Sequence, residues 1–283
     1  MWQGLIAVWL AGASADAHAR GLDLYKHQKY AEAVSALEEA VSTEAPDSVA
    51  YKESALLIGQ SYFMLSQAQK AIPWLEKLPG VNEANYMLGY AYLQAGRQDQ
   101  SELAFARLFG LNPASAAGHL LAGQMMYKKE FRDEAVAEVR KALALDPRIP
   151  QAHFLLAEAA IGTGELDEAI RLLNQELEID PNFSMAWYRL GDVYARQQHW
   201  EQAIPHLQRA VWLNPSYSGP YILLGKCYFN TQSFTNAENI LRHAVSLDPK
   251  NYEANYLLGR TLIAEGQTDE GRALLEKLKS LPH

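Results

Sequence analysis

Apolar and small side chains recur along this chain with two superposed periods. At short range they fall at helical spacing: Trp187, Leu190, Gly191 and Tyr194 share one face, and Ala203, Leu207 and Ala210 share another. At long range, the small residue inside each Leu-Gly-like segment aligns as Gly21, Gly59, Gly89, Gly123, Ala157, Gly191, Gly225 and Gly259, with successive differences of 38, 30, 34, 34, 34, 34 and 34. Twelve residues after each stands a second small residue, at Ala33, Ala71, Ser101, Ala135, Ala169, Ala203, Ala237 and Gly271. This pattern predicts eight units of two antiparallel helices.

The small columns have a physical reason. Glycine inside a helix costs about 1 kcal/mol relative to alanine, so its recurrence requires a gain, and close approach of two helix axes supplies one. The units are punctuated by Asn112-Pro113, Asp146-Pro147, Asp180-Pro181, Asn214-Pro215 and Asp248-Pro249. At each, proline pushes its predecessor out of the helical region and ends the second helix. The early spacings of 38 and 30 sum to two normal periods, with a longer turn at Ala45-Pro46-Asp47-Ser48 and a shortened one at Leu78-Pro79-Gly80-Val81. A tilt of the first two units, within one continuous body, is the expectation.

These residues resemble the tetratricopeptide repeat. The segment Trp187-Tyr188-Arg189-Leu190-Gly191-Asp192-Val193-Tyr194, followed by Trp200, Ala203, Ala210 and Pro215, is similar to that family's pattern. Tyr221, Leu224, Gly225, Tyr228, Phe234, Ala237, Ala244 and Pro249 repeat it. The fifth unit departs, with Ala157, Ala160 and Glu176 where glycine, tyrosine and alanine are usual. The resemblance implies an all-α, right-handed superhelical solenoid of eight helix-turn-helix units over residues 14–281, bounded near 14–47, 52–81, 82–115, 116–149, 150–183, 184–217, 218–251 and 252–281.

The same resemblance implies a concave groove lined by first helices, and helical geometry then selects three columns. The first holds Tyr86, Phe154, Tyr188 and Tyr256; the second Gln60, Tyr90, Gln124, Glu158, Asp192, Lys226 and Arg260; the third Phe63, Tyr127 and Phe229. Aromatic side chains bring large contact area at low entropic cost and dominate binding hot spots. Their alternative role is to stack on the neighbouring unit and complete the core. Glu158 and Asp192 precede Lys226 and Arg260 in one column, so the groove is expected to change sign along its length. The basic clamp by which some family members grip a terminal carboxylate is missing: the corresponding places hold Leu56, Gln60, Tyr86 and Tyr90, then Leu120, Gln124, Phe154 and Glu158.

Composition narrows the chemistry. With 49% hydrophobic and 20% charged residues the chain is too apolar for a disordered tail, and a net charge of -8 with scattered Lys and Arg lacks the basic stripe that nucleic acid requires. Cys227 is the only cysteine, so neither an internal disulfide nor a thiolate cluster can form, and a buried structural thiol is expected. Phosphate-cradling glycine loops, G-x-S-x-G and H-E-x-x-H are all missing. His119 and His153, 34 apart, share the column of Trp187 and Tyr221 and read as packing residues too distant to share a metal. His199 and His206 read as surface residues. No cofactor and no catalytic residue is expected.

The N-terminus carries two readings. Leu5 to Ala13 is an apolar run followed by Ala15-Asp16-Ala17 and Ala17-His18-Ala19, which resembles a secretory signal peptide and is too short to span a bilayer. Met1-Trp2-Gln3-Gly4 contains no basic side chain, and residues 1–19 equally suit the start of the first repeat helix. The small-residue pattern tilts toward an exported, periplasmic or extracellular protein. At the other end, Leu258, Leu262 and Leu275 are expected on an open apolar edge that could pair two copies through the C-terminal repeat. The functional expectation is an adaptor or scaffold holding a protein or extended peptide; the alternatives are a self-assembling solenoid and the recognition subunit of an enzyme with a separate catalytic chain.

Overall fold

The computed structural model describes the backbone of residues 2–128 and 131–279 and the side chains of 14–128 and 131–278. Among the described residues the chain folds into sixteen α-helices and no strands. It divides into two compact units, Met1–Pro147 and Arg148–His283. In the first lie α1 (Trp2–Lys26), α2 (Tyr30–Val41), α3 (Val49–Met64), α4 (Ala68–Leu75), α5 (Asn82–Gln94), α6 (Gln98–Leu108), α7 (Ala116–Tyr127) and α8 (Arg132–Leu145). The second contains α9 (Ala152–Thr163), α10 (Leu166–Ile179), α11 (Ser184–Arg196), α12 (Trp200–Leu213), α13 (Ser218–Asn230), α14 (Phe234–Leu247), α15 (Tyr252–Ala264) and α16 (Thr268–Lys279).

The chain at the boundary of the two units is locally distinct. The connections 180–183, 214–217 and 248–251 have four residues, whereas residues 146–151 form a six-residue connection carrying both Pro147 and Pro150. Proline restricts the residue before it and removes a donor, and Gln151 adopts a left-handed conformation (φ 71°), so α9 begins two residues later than the repeat period would place it.

One turn recurs at the end of the first helix of a pair. The backbone N–H groups of Lys29, Gln67, Arg97, Glu165, His199, Ser233 and Gln267 donate to the carbonyls of Leu24, Tyr62, Tyr92, Ala160, Tyr194, Tyr228 and Leu262 respectively, at 2.8–2.9 Å. Phe131 repeats the bond to Met126 at 3.2 Å. Each is the six-to-one bond that satisfies an orphan carbonyl at a helix C-terminus. In the first seven of these turns the residue before the donor takes the left-handed conformation this motif needs, as at Gly164 (φ 84°) and Gly266 (φ 92°).

Helices within a pair meet at the glycine column. A Cβ on Gly191 would stand 2.6 Å from Leu207 Cγ, and one on Gly89 would collide with the ring of Phe105. Leu207 and Phe105 are themselves fully buried, so the missing methyl is the space they occupy. Ala157, which replaces glycine in the fifth pair, is also fully buried.

Both chain ends and one histidine add to this picture. Residues 2–26 form one helix, in which Ala17 is buried, Ser14 Oγ donates to the Ala40 carbonyl at 3.3 Å and His18 Nδ1 lies 2.7 Å from Ser54 Oγ. The side chains of the Leu5–Ala13 run lie outside the described residues. At the other end, the residues expected on an open apolar edge are covered among the described residues: Leu258 and Leu262 are 4% and 0% exposed, and Leu275 is half-buried against Gly259. Leu258 and Leu262 pack into the core formed with Tyr221, Leu241 and Leu257, so they offer no surface to a second copy. Leu281, Pro282 and His283 lie outside the described residues. His206, expected at the surface, is half-buried and stacked on Trp187 and Tyr194 with centroids at 5.6 and 5.3 Å; burial lowers its pKa.

Candidate functional site

The second unit holds eight of the fourteen candidate groove residues: Phe154, Glu158, Tyr188, Asp192, Lys226, Phe229, Tyr256 and Arg260. They lie on its first helices α9, α11, α13 and α15. Phe154 meets Phe183 edge-on at 4.9 Å and packs on the core of that unit, as Phe229 does. Both rings therefore serve the core first. Tyr188 is half-buried, with its ring 5.7 Å from that of Tyr217. Burial is the main cause that pushes its phenol up to about 12, with Tyr217 and Asp192 adding to the shift. Tyr256 is 39% exposed, and its ring lies parallel to that of Tyr252 at 6.1 Å.

The charges are not arranged as the column implied. Arg189, adjacent to the packing residue Leu190, places Nε 2.7 Å from Glu158 Oε1, while its Nη2 donates to Glu158 Oε2 at 2.9 Å. Its Nη1 is 3.7 Å from Asp192 Oδ2, and Arg196 Nη2 approaches the same oxygen at 3.1 Å. Two arginines thus neutralise the two acids. Among the described residues, neither Lys226 nor Arg260 pairs with a carboxylate; Arg260 lies over Phe229 and Tyr256, 4.8 and 5.7 Å from their centroids. The two acids of the column are thus compensated, whereas its two cations have no carboxylate within ion-pair distance among the described residues.

Columns counted from the glycine miss Arg189, Tyr217 and Tyr252. The two tyrosines, 39% and 54% exposed, stand at helix starts, outside those columns. In the first unit, Tyr86 is exposed, and Gln60, Phe63, Gln124 and Tyr127 are half-buried. Tyr90 is a correction: it is 2% exposed, meets Phe105 at 5.0 Å, and its hydroxyl donates to the Met125 carbonyl at 3.0 Å. A phenol whose ring and hydroxyl are both satisfied inside the core is no part of a binding face.

Tetratricopeptide repeat profiles match residues 18–85 and 120–184, 83–115, 184–217 and 232–280. The chain belongs to the tetratricopeptide repeat family. No curated relative matches this repeat protein by sequence. Among solved structures it is similar to PilF of Pseudomonas aeruginosa, at 20% identity over 70% of this chain and 90% of that one, with a TM-score of 0.57. MamA from Desulfovibrio magneticus RS-1 is 22% identical over 59% of this chain and 94% of that one, with a TM-score of 0.55. YrrB, described as a TPR protein with an unusual peptide-binding site, is 23% identical over 62% and 90%, also with a TM-score of 0.55. These likenesses concern the fold. No helix among the described residues is long and apolar enough to cross a membrane.

Two departures from the repeat pattern place carboxylates inside it. Glu176 is fully buried and accepts the backbone N–H groups of Gln151 at 2.6 Å and Phe154 at 3.2 Å, covering the N-terminus of α9. In the other unit, His119 and Lys141 each meet both Glu102 and Glu138. Burial pushes the Glu102 carboxyl up, and Glu138 adds to the rise. For Glu138 burial acts in the same direction but is outweighed by hydrogen bonds with Lys141, Glu102 and His119, which lower it. Cys227 is buried and its thiol is pushed up to about 12, chiefly by that burial.

Proposed function

We propose that this protein is an adaptor or assembly scaffold whose second unit holds an extended, acidic segment of a partner protein against α11, α13 and α15. Tetratricopeptide arrays present extended surfaces of this kind, and the description of YrrB as having a peptide-binding site supports a peptide as ligand at the level of the fold. One observation carries the reading further. Among the described residues Lys226 and Arg260 have no carboxylate partners, while Tyr188, Tyr217, Tyr252 and Tyr256 stand on the same unit with partly exposed rings. A carboxylate on the partner would meet the cations, and its apolar side chains would cover the rings.

A selection from a displayed library of peptides about ten residues long tests this reading, since such a segment spans about 33 Å when extended. The pool bound by the wild type is expected to be enriched in Asp and Glu beside apolar residues. The double substitution Lys226→Glu and Arg260→Glu is expected to reverse that preference toward Lys and Arg. Equal enrichment of acidic and basic peptides by the wild type contradicts the proposal.

A further inference from the structure

Helices α6, α7 and α8 of the first unit bring Glu102, His119 and Glu138 together, each offering one ligand atom within 4.8 Å of the others. Glu138 is 0% and Glu102 9% exposed. Each carboxylate divides its oxygens between two tasks. Oε2 of Glu138 and Oε2 of Glu102 face Nδ1 of His119 at 2.7 and 3.7 Å. Oε1 of the same residues takes Lys141 Nζ at 2.7 and 3.1 Å, and Gln98 Nε2 donates to Glu138 Oε1 at 2.9 Å.

The fold does not need charge at these positions. In the repeat columns Glu102 stands where Val136, Ile170 and Ile204 stand, with Glu238 and Arg272 in the last two units, and Glu138 where Leu172, His206, Ile240 and Leu274 stand, so most units place an apolar side chain there. An ion buried in a protein interior carries a desolvation penalty that aliphatic side chains avoid. Lys141 supplies one positive charge to two carboxylates. A divalent cation would more than offset the one negative charge that remains, leaving the site at +1 until an anion takes the open coordination position, and would keep His119 neutral, as a ligand imidazole must be.

We propose that Glu102, His119 and Glu138 form a site for a zinc-class divalent cation that ties α6 to α7 and α8. Imidazole and carboxylate donors suit zinc, and three protein ligands leave one coordination position open. Bonds of about 2.0–2.2 Å set tetrahedral ligand atoms about 3.3 Å apart; the spacings of 2.7 and 3.7 Å at His119 Nδ1 bracket that value. Lys141 and Gln98 then act as outer partners that orient the carboxylates through their remaining oxygens.

The test is titration of the metal-free full chain with Co2+, read by visible absorption, followed by displacement with Zn2+. One saturable equivalent per chain is expected. His119→Gln and Glu102→Gln should each weaken it by more than about 100-fold, beyond the effect of an outer-shell change. Circular dichroism reports whether each variant folds; if His119→Gln does not, Glu102→Gln, at the less buried of the two carboxylates, decides. Absence of saturable uptake by the wild type, or equal uptake by a folded variant, overturns the proposal.

Discussion

At the residue scale, Arg189 decides the charge of the candidate face. Its side chain is 29% exposed and joins those of Glu158 and Asp192, each 16% exposed. Removing one partner of a fully buried pair costs about 3–5 kcal/mol; with water reaching this pair, Arg189→Met is expected to destabilise the second unit by about 2 kcal/mol, measured by urea unfolding. Tyr188 gives a prediction in pH. Its phenol rises from the ordinary 10.0 to about 12, so the unfolded chain ionises first. The stability it contributes is full below pH 10.0 and is lost as pH rises through about 12. Tyr188→Phe should flatten that part of the alkaline unfolding profile. Arg189 is not legible from columns, because columns assign a backbone position to a face whereas a long side chain reaches past it.

At the element scale, helical spacing and the proline steps carry most of the fold, since apolar periodicity and helix termination are local properties. The late start of α9 needs two features together, Pro150 and the left-handed Gln151, of which only the proline is visible in the sequence. Glu176 compensates there. Glu176→Ala, which restores the residue found at Ala142, Ala210 and Ala244, should cost about 1–2 kcal/mol and speed amide exchange at Gln151 and Phe154. Gly191→Ala tests the close approach of α11 and α12. Alanine favours a helix by about 1 kcal/mol, but overpacking costs about 1–3 kcal/mol, so a lower melting temperature is expected because the new methyl meets Leu207. A higher one would contradict the packing account.

At the scale of the whole molecule, the net charge of -8 gives no hint of the cationic patch at Lys226 and Arg260. Its sign emerges only after Arg189 and Arg196 have been matched to their acids. Likewise, residues far apart in sequence assemble the cluster of Glu102, His119 and Glu138, although carboxylates in mainly apolar columns are a readable signal. The proposed adaptor role stands on binding of the partner by the aromatic and cationic face of the second unit. Isothermal titration of the best selected acidic peptide into wild type and Tyr188→Ala/Tyr256→Ala protein tests it most directly. Hot-spot aromatics contribute about 2 kcal/mol or more each, so losing both should weaken binding by roughly several hundredfold with unchanged circular dichroism. Equal affinity in the folded variant would contradict it.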